Sequence, residues 1–152
     1  MRLAIGADHA GYPLKERLKG ELVRLGHEVE DLGTAGAEPP VDYPDVCFPV
    51  AERVADGRAD RGVVLGGSGI GEAIAANKVA GVRAAVVTSD ETARLSRLHN
   101  DSNVLALGGR TRRHGDAVRW LGIWLETPFE GGRHVARLRK ITEYERTHLV
   151  KR

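Results

Sequence analysis

Five short apolar runs punctuate the chain: RLAIGA (2–7), HEVEDLG (27–33), RGVVLGG (61–67), VRAAVVTS (82–89) and NVLALGG (103–109). Most close on Gly or Ser, which is how buried strands end in tight turns. Between them the apolar positions recur at helical spacing, predicting helices over Pro13–Leu25, Pro44–Ala55, Gly71–Lys78 and Glu91–His99. In the first of these Leu14, Leu18, Leu22 and Leu25 form one apolar stripe, with Lys15, Glu16, Arg17 and Lys19 facing elsewhere, and Gly26 supplies the stop. After the fifth run the pattern is helical only: GDAVRWLGIWLE (115–126), a break at TPFEGG, and RHVARLRKITEYERTHL (133–149). In that last stretch Val135, Leu138, Ile141, Thr142 and Glu145 make a narrow apolar edge that can dock on the body or on a second subunit.

Runs such as GVVLGG and AAVVTS are continuously apolar, as strands are when helices cover both faces of the sheet. The alternation β-α-β-α therefore predicts an α/β fold: a three-layer α-β-α, doubly wound, Rossmann-like domain with a five-stranded parallel sheet and a C-terminal helical extension. A length of 152 residues suits a single domain over 1–152, with no repeat or linker inside it. Hydrophobic residues at 41% and charged residues at 29% argue against disorder.

A formal net charge of +2 compels no nucleic-acid partner. The basic residues that gather in GGRTRRHG and GGRHVARLRK lack interleaved aromatics and suit a small anion equally well. Arg133 and Arg137, spaced i, i+4, can converge on one phosphate monoester, whereas Arg112 and Arg139 read as solvated surface. A lone cysteine, Cys47, allows no disulfide within the chain and fits a reducing compartment. The opening run MRLAIGADHAG is too brief for a signal peptide or a membrane span, so the expectation is a cytoplasmic protein.

Ligands of open α/β sheets sit outside the carboxyl ends of the strands, which selects Asp8, His9, Ser68, Glu72 and Arg110 for one rim. GADHAG (6–11) is a poor dinucleotide loop, because Asp8 stands where the second glycine of G-x-G-x-x-G belongs and would repel a pyrophosphate. Asp31, after the second run, occupies the place of a ribose-binding acid but has no such loop to serve. LGGSGIGEA (65–73) has the glycine spacing of a P-loop, yet Glu72 and Ala73 replace its lysine and hydroxyl. Its amides, around Gly67, Ser68, Gly69, Ile70 and Gly71, can hold an oxyanion that develops during reaction, with Glu72 as base. The bland reading makes Glu72 a first-turn acid, Ser68 an N-cap, Asp8 and His9 caps of the first helix and His99 a helix C-cap.

Taken together, GADHAGYPLK, DYP, GGSGIGEAIAANKVAGVRA, LSRLHNDSNVLALGGR and EGGRH resemble the type B ribose-5-phosphate isomerases, a group that includes allose- and galactose-6-phosphate isomerases. The resemblance runs from Arg2 to about Glu145. It implies an aldose-ketose isomerase of sugar phosphates, acting through an enediolate with no metal or organic cofactor. In one branch of that family a cysteine just before the loop is the base. Gly66 stands there in this chain, which implies the other branch, with Glu72 as base. By the same resemblance His99 is the general acid, Asp8 the ring-opening or hydroxyl-binding partner, and Ser68 with the loop amides the holder of the enediolate oxygen. His9, Arg110, Arg133 and Arg137 match phosphate-binding positions, Asn100 a position that binds sugar hydroxyls, and Tyr43 one near the pocket. The family implies a homodimer with shared active sites, or a tetramer, in which His99, Asn100 and Arg110 enter the partner's site and helix 131–148 packs on the partner. Ribose 5-phosphate is the default substrate. A four- or six-carbon sugar phosphate, a catalytically silent phosphosugar-binding domain and a flavodoxin-like or nucleotide-binding module are the alternatives.

Overall fold

The computed structural model describes residues 1–110 and 113–149. Five strands, β1 (Arg2–Ala7), β2 (Glu28–Asp31), β3 (Arg61–Gly66), β4 (Ala84–Val86) and β5 (Val104–Gly108), form one all-parallel sheet in the order β2-β1-β3-β5-β4. The helices are α1 (Tyr12–Arg24), α2 (Tyr43–Ala55), α3 (Ile70–Ala76), α4 (Asp90–Asn100), α5 (His114–Glu126) and α6 (Arg133–His148).

The period of two along the strands divides the core in half. Leu3 and Ile5, Val63 and Leu65, and Leu105 and Leu107 turn to one face, where Leu14, Leu18 and Leu22 of α1, Ala93 of α4 and Trp120, Leu121 and Trp124 of α5 cover them. Ala4, Val64, Val104 and Ala106 turn to the other, against Val46, Cys47 and Val50 of α2 and Ala73 and Ala76 of α3. The expected three layers are present.

Three local expectations are corrected. The fourth run forms a strand over only Ala84–Val86, because β4 lies at the sheet's edge, pairs with β5 alone and ends where Ser89 and Thr92 form a capping box that starts α4. Leu25 is not part of the α1 stripe: it is the C-cap, 44% exposed, and Gly26 follows at φ 82°. On α6 only His134 is buried. Leu138 is half-buried, while Val135 and Ile141 are exposed. Among the described residues, no helix is long and apolar enough to cross a membrane.

Candidate active site

The chain leaves β1 for β2 on one side and reaches β3 on the other, so the order reverses between β1 and β3 and a crevice opens at their carboxyl ends. Asp8 and the 66–71 loop flank it. The Asp8 N–H donates to the Leu65 carbonyl at 3.1 Å, and its Oδ1 accepts from the Gly11 N–H at 2.9 Å. Asp8 is buried and pinned, while Gly11 serves as the N-cap of α1. His9 caps nothing: its Nδ1 lies 3.2–3.3 Å from the Val41 carbonyl and N–H.

The glycine loop turns sharply into α3. Gly69 is the N-cap at φ 83°, its Cα packed against the Leu107 backbone so closely that a Cβ would stand 2.9 Å away. Ser68 therefore is not the N-cap, although its Oγ accepts from the Ile70 N–H at 3.2 Å. One turn on, Glu72 folds back beneath the loop with 3% of its surface exposed. A Cβ on Gly66 would stand 1.6 Å from Glu72 Oε1, so the carboxylate fills the side-chain space that Gly66 leaves empty. Burial pushes the Glu72 carboxyl above its ordinary pKa and the Asp8 charge adds to this, while the backbone N–H groups of Glu72 and Gly69 pull the other way. A first-turn acid that merely answered the helix dipole would sit in water; this one is withdrawn from it. Burial, Glu72 and Asp8 likewise push the Cys47 thiol far up, so the cysteine beneath the site stays protonated.

Tyr43, at the start of α2, lies with its ring against Gly71, and Ile70 is exposed at the loop tip. Arg110 also belongs to this rim. Its N–H donates to the Gly67 carbonyl at 3.1 Å and its Cδ approaches Gly67 of the same chain. The reason is topological: Arg110 follows β5 at the same carboxyl edge that carries the loop. Arg112 lies outside the described residues.

His99, Asn100, Arg133 and Arg137 stand elsewhere. Helix α4 runs back from the carboxyl edge to the amino edge, so His99 and Asn100 lie beside the start of β5, a strand of five residues spanning about 17 Å. Arg83, ahead of β4, anchors that corner by donating to the Asn100 and Asp101 carbonyls. Asp101, in the left-handed region at φ 45°, is the C-cap, which corrects the reading of His99 as a cap. The Glu130 N–H donates to the Leu98 carbonyl and so brings the start of α6, with exposed Arg133 and Arg137, to the same corner. One chain thus carries a carboxylate cluster at one edge and a histidine-arginine cluster at the other.

Asp31 is no ribose acid. Lys15 Nζ, buried, donates to both its oxygens at 2.7 and 2.9 Å, and Lys19 Nζ adds a third bond at 2.8 Å. His134 and Glu130 went unnoticed in the sequence. His134 is 4% exposed, its ring stacks on His99 with centroids 4.4 Å apart, and its Nε2 lies 3.1 Å from Glu130 Oε2. EGGRH had held both, but a histidine beside two arginines gives no sign in sequence that it will face inward.

A family model described as Ribose/Galactose Isomerase matches residues 3–141. The chain belongs to the ribose/galactose isomerase family. Within that family it is 43% identical to ribose-5-phosphate isomerase B of Mycobacterium tuberculosis, over 97% of this chain and 92% of that protein. It is 44% identical to the enzyme of the same name from Escherichia coli, over 95% of this chain and 96% of that one. The solved structure of ribose-5-phosphate isomerase B from Clostridium thermocellum superposes with a TM-score of 0.95 at 49% identity, covering 97% of this chain and 99% of that one. The Mycoplasma genitalium isomerase B with bound ribulose-5-phosphate superposes at 0.92 with 39% identity, covering 95% and 96%. As a ribose/galactose isomerase family member, the chain has its glycine loop, buried Glu72 and Asp8 at the crevice where α/β sheets take ligands.

Proposed function

We propose that this chain interconverts D-ribose 5-phosphate and D-ribulose 5-phosphate through a cis-enediolate, a step of the pentose phosphate pathway. The observation that carries the reading is Glu72: a carboxylate withdrawn from water and raised in basicity, held under a loop of backbone amides in the switch-point crevice. Relatives named for this reaction, spanning nearly the whole chain, support the choice of substrate.

The chemistry follows from the groups. Glu72 takes the C2 proton of the open-chain aldose as its C1 carbonyl becomes an enediolate, and returns the proton to C1 while the O2 proton passes to O1 across the cis-enediolate, leaving the C2 ketone and a C1 hydroxyl. Two protons move within the substrate and no electrons leave it. Ser68 and the amides of residues 67–71 stabilise the enediolate oxygen, where preorganised donors act most strongly. Before that the furanose must open: His99 gives a proton to the ring oxygen, and Asp8 binds the C1 hydroxyl and takes up its proton. His9, Arg110, Arg133 and Arg137 hold the phosphate, Asn100 a sugar hydroxyl, and Tyr43 walls the pocket beside Gly71.

These roles require two chains, and the separation of the two clusters within one chain supports a homodimer. His99, Asn100, Arg133 and Arg137 of one protomer complete the crevice holding Glu72, Asp8, His9, Tyr43 and Arg110 of the other, with α6 packed on the partner. A buried free cysteine agrees with a cytoplasmic setting. The test is turnover of ribose 5-phosphate beside erythrose 4-phosphate and allose 6-phosphate, by the unaltered protein and by Glu72→Gln. Preferential turnover of ribose 5-phosphate, lost in the variant, is expected. Turnover of another sugar phosphate alone would move the substrate, and silence with retained ligand binding would make the protein a phosphosugar-binding module.

A further inference from the structure

His134 is the one buried side chain among the described residues of α6, and its polarity needs a reason, since a leucine there would be covered without any partner to find. It has partners on three sides. Its ring lies flat on His99, 17° from parallel. Nε2 meets Glu130 Oε2 at 3.1 Å, and Arg137 Nη1 reaches Nδ1 at 3.5 Å. An ionised carboxylate only accepts and a guanidinium only donates, so Nε2 carries the proton and Nδ1 offers its lone pair. The ring is thus a neutral link between a cation and an anion. The same Glu130 oxygen lies 3.9 Å from His99 Nε2.

We infer that His134, supported by Glu130, is a positioning residue that holds the His99 ring and the Arg137 guanidinium in fixed relation, so that the group protonating the sugar ring and a group gripping the phosphate present themselves to substrate as one unit. This rests on the roles proposed above for His99 and Arg137. The stack fixes the plane of His99, which makes no side-chain hydrogen bond of its own among the described residues, and the Nδ1 contact limits where Arg137 can swing. A metal site made from the same three residues is disfavoured. His99, Glu130 and His134 bring their ligand atoms within 4.8 Å, but nearly parallel rings send their lone pairs side by side rather than to one point, and Arg137 adds a positive charge.

Two variants separate the two contacts. His134→Phe keeps a flat ring for the stack and removes both nitrogens, whereas His134→Ala removes everything. For ribose 5-phosphate, His134→Phe is expected to raise KM about ten-fold, as the loss of a contact to a charged group does, with kcat nearly kept. His134→Ala is expected to raise KM similarly and also to lower kcat by about ten-fold or more, because His99 is no longer held in plane. A residue that only fills space would change melting temperature and leave both constants of the folded protein alone, and unchanged KM and kcat in His134→Phe overturn the inference even if the alanine variant fails to fold. Failure of the inference is distinguishable from failure of the proposed function: in the first the unaltered protein turns over ribose 5-phosphate and the variants match it, in the second the unaltered protein is silent and both fall.

Discussion

Glu72, the proposed base, stands where its charge is costly to the fold. Its folded pKa is raised above the unfolded value, so the folded state holds the extra proton. Stability therefore falls as pH rises from the ordinary glutamate pKa through the raised one, and the penalty is complete above it. Glu72→Gln should thus be more stable than the unaltered protein at neutral pH, seen as a higher Tm, while losing roughly 100-fold or more in kcat. The gain in Tm should vanish below the unfolded glutamate pKa, so thermal melts at acid and neutral pH check the sign. Activity should fall on the acid side at a pH above the ordinary glutamate value of about 4.3, readable from the acid limb of kcat/KM. Gly66 makes the position possible. With a Cβ placed 1.6 Å from Oε1, Gly66→Ala must displace the carboxylate, and a displacement of about 1 Å is expected to lower kcat by roughly 100-fold, measured on protein shown to be folded by circular dichroism. Glycine at 66 and glutamate at 72 were visible as letters, but that one side chain fills the other's empty space depends on how Glu72 folds back, which no spacing rule contains.

The elements were legible because local signals agreed. Gly26 ends α1, Ser89 and Thr92 open α4, and the two-residue period of β1, β3 and β5 sorts their side chains between the two layers. Where the reading slipped, tertiary position decided. VRAAVVTS has the composition of a central strand, yet β4 is the edge and stays three residues long, and the stripe of α1 stops at Leu22, with Leu25 an exposed C-cap. Lys15 is the harder case. Its place opposite the leucines suggests a solvated face, but its stem runs inward and its ammonium is buried against Asp31 and the Thr34 carbonyl, tying α1 to the end of β2. Removing one partner leaves the other charge with less than it lost in water. Lys15→Met should cost about 3 kcal/mol in urea unfolding, since it takes the buried ammonium from Asp31 and leaves that carboxylate to Lys19, and adding Asp31→Asn should recover part of the loss by removing the under-compensated carboxylate. Equal loss in the single and double variants would assign the cost to packing instead.

At the scale of the molecule, one chain holds its two clusters of candidate residues on opposite edges of its sheet, and the order of the strands made this readable in principle. Any residue at the end of α4 must return to the amino edge, whereas any residue just after β3 or β5 stays at the carboxyl edge. That rule puts His99 and Asn100 on one side and Arg110 with the glycine loop on the other. What it does not contain is the second chain. If a site needs Glu72 from one protomer and His99 from its partner, Glu72→Gln and His99→Ala should each be inactive alone and should complement each other when their subunits are mixed by unfolding and refolding together. In a mixed dimer one site carries both changes and the other carries neither. With half the dimers mixed and one intact site in each, activity should return to about a quarter of the unaltered level by two-fold symmetry. If both groups instead serve the same chain, every site retains one defect and mixing restores nothing. Assaying the mixture before and after subunit exchange distinguishes the two, because complementation within a shared site appears only once subunits have been exchanged.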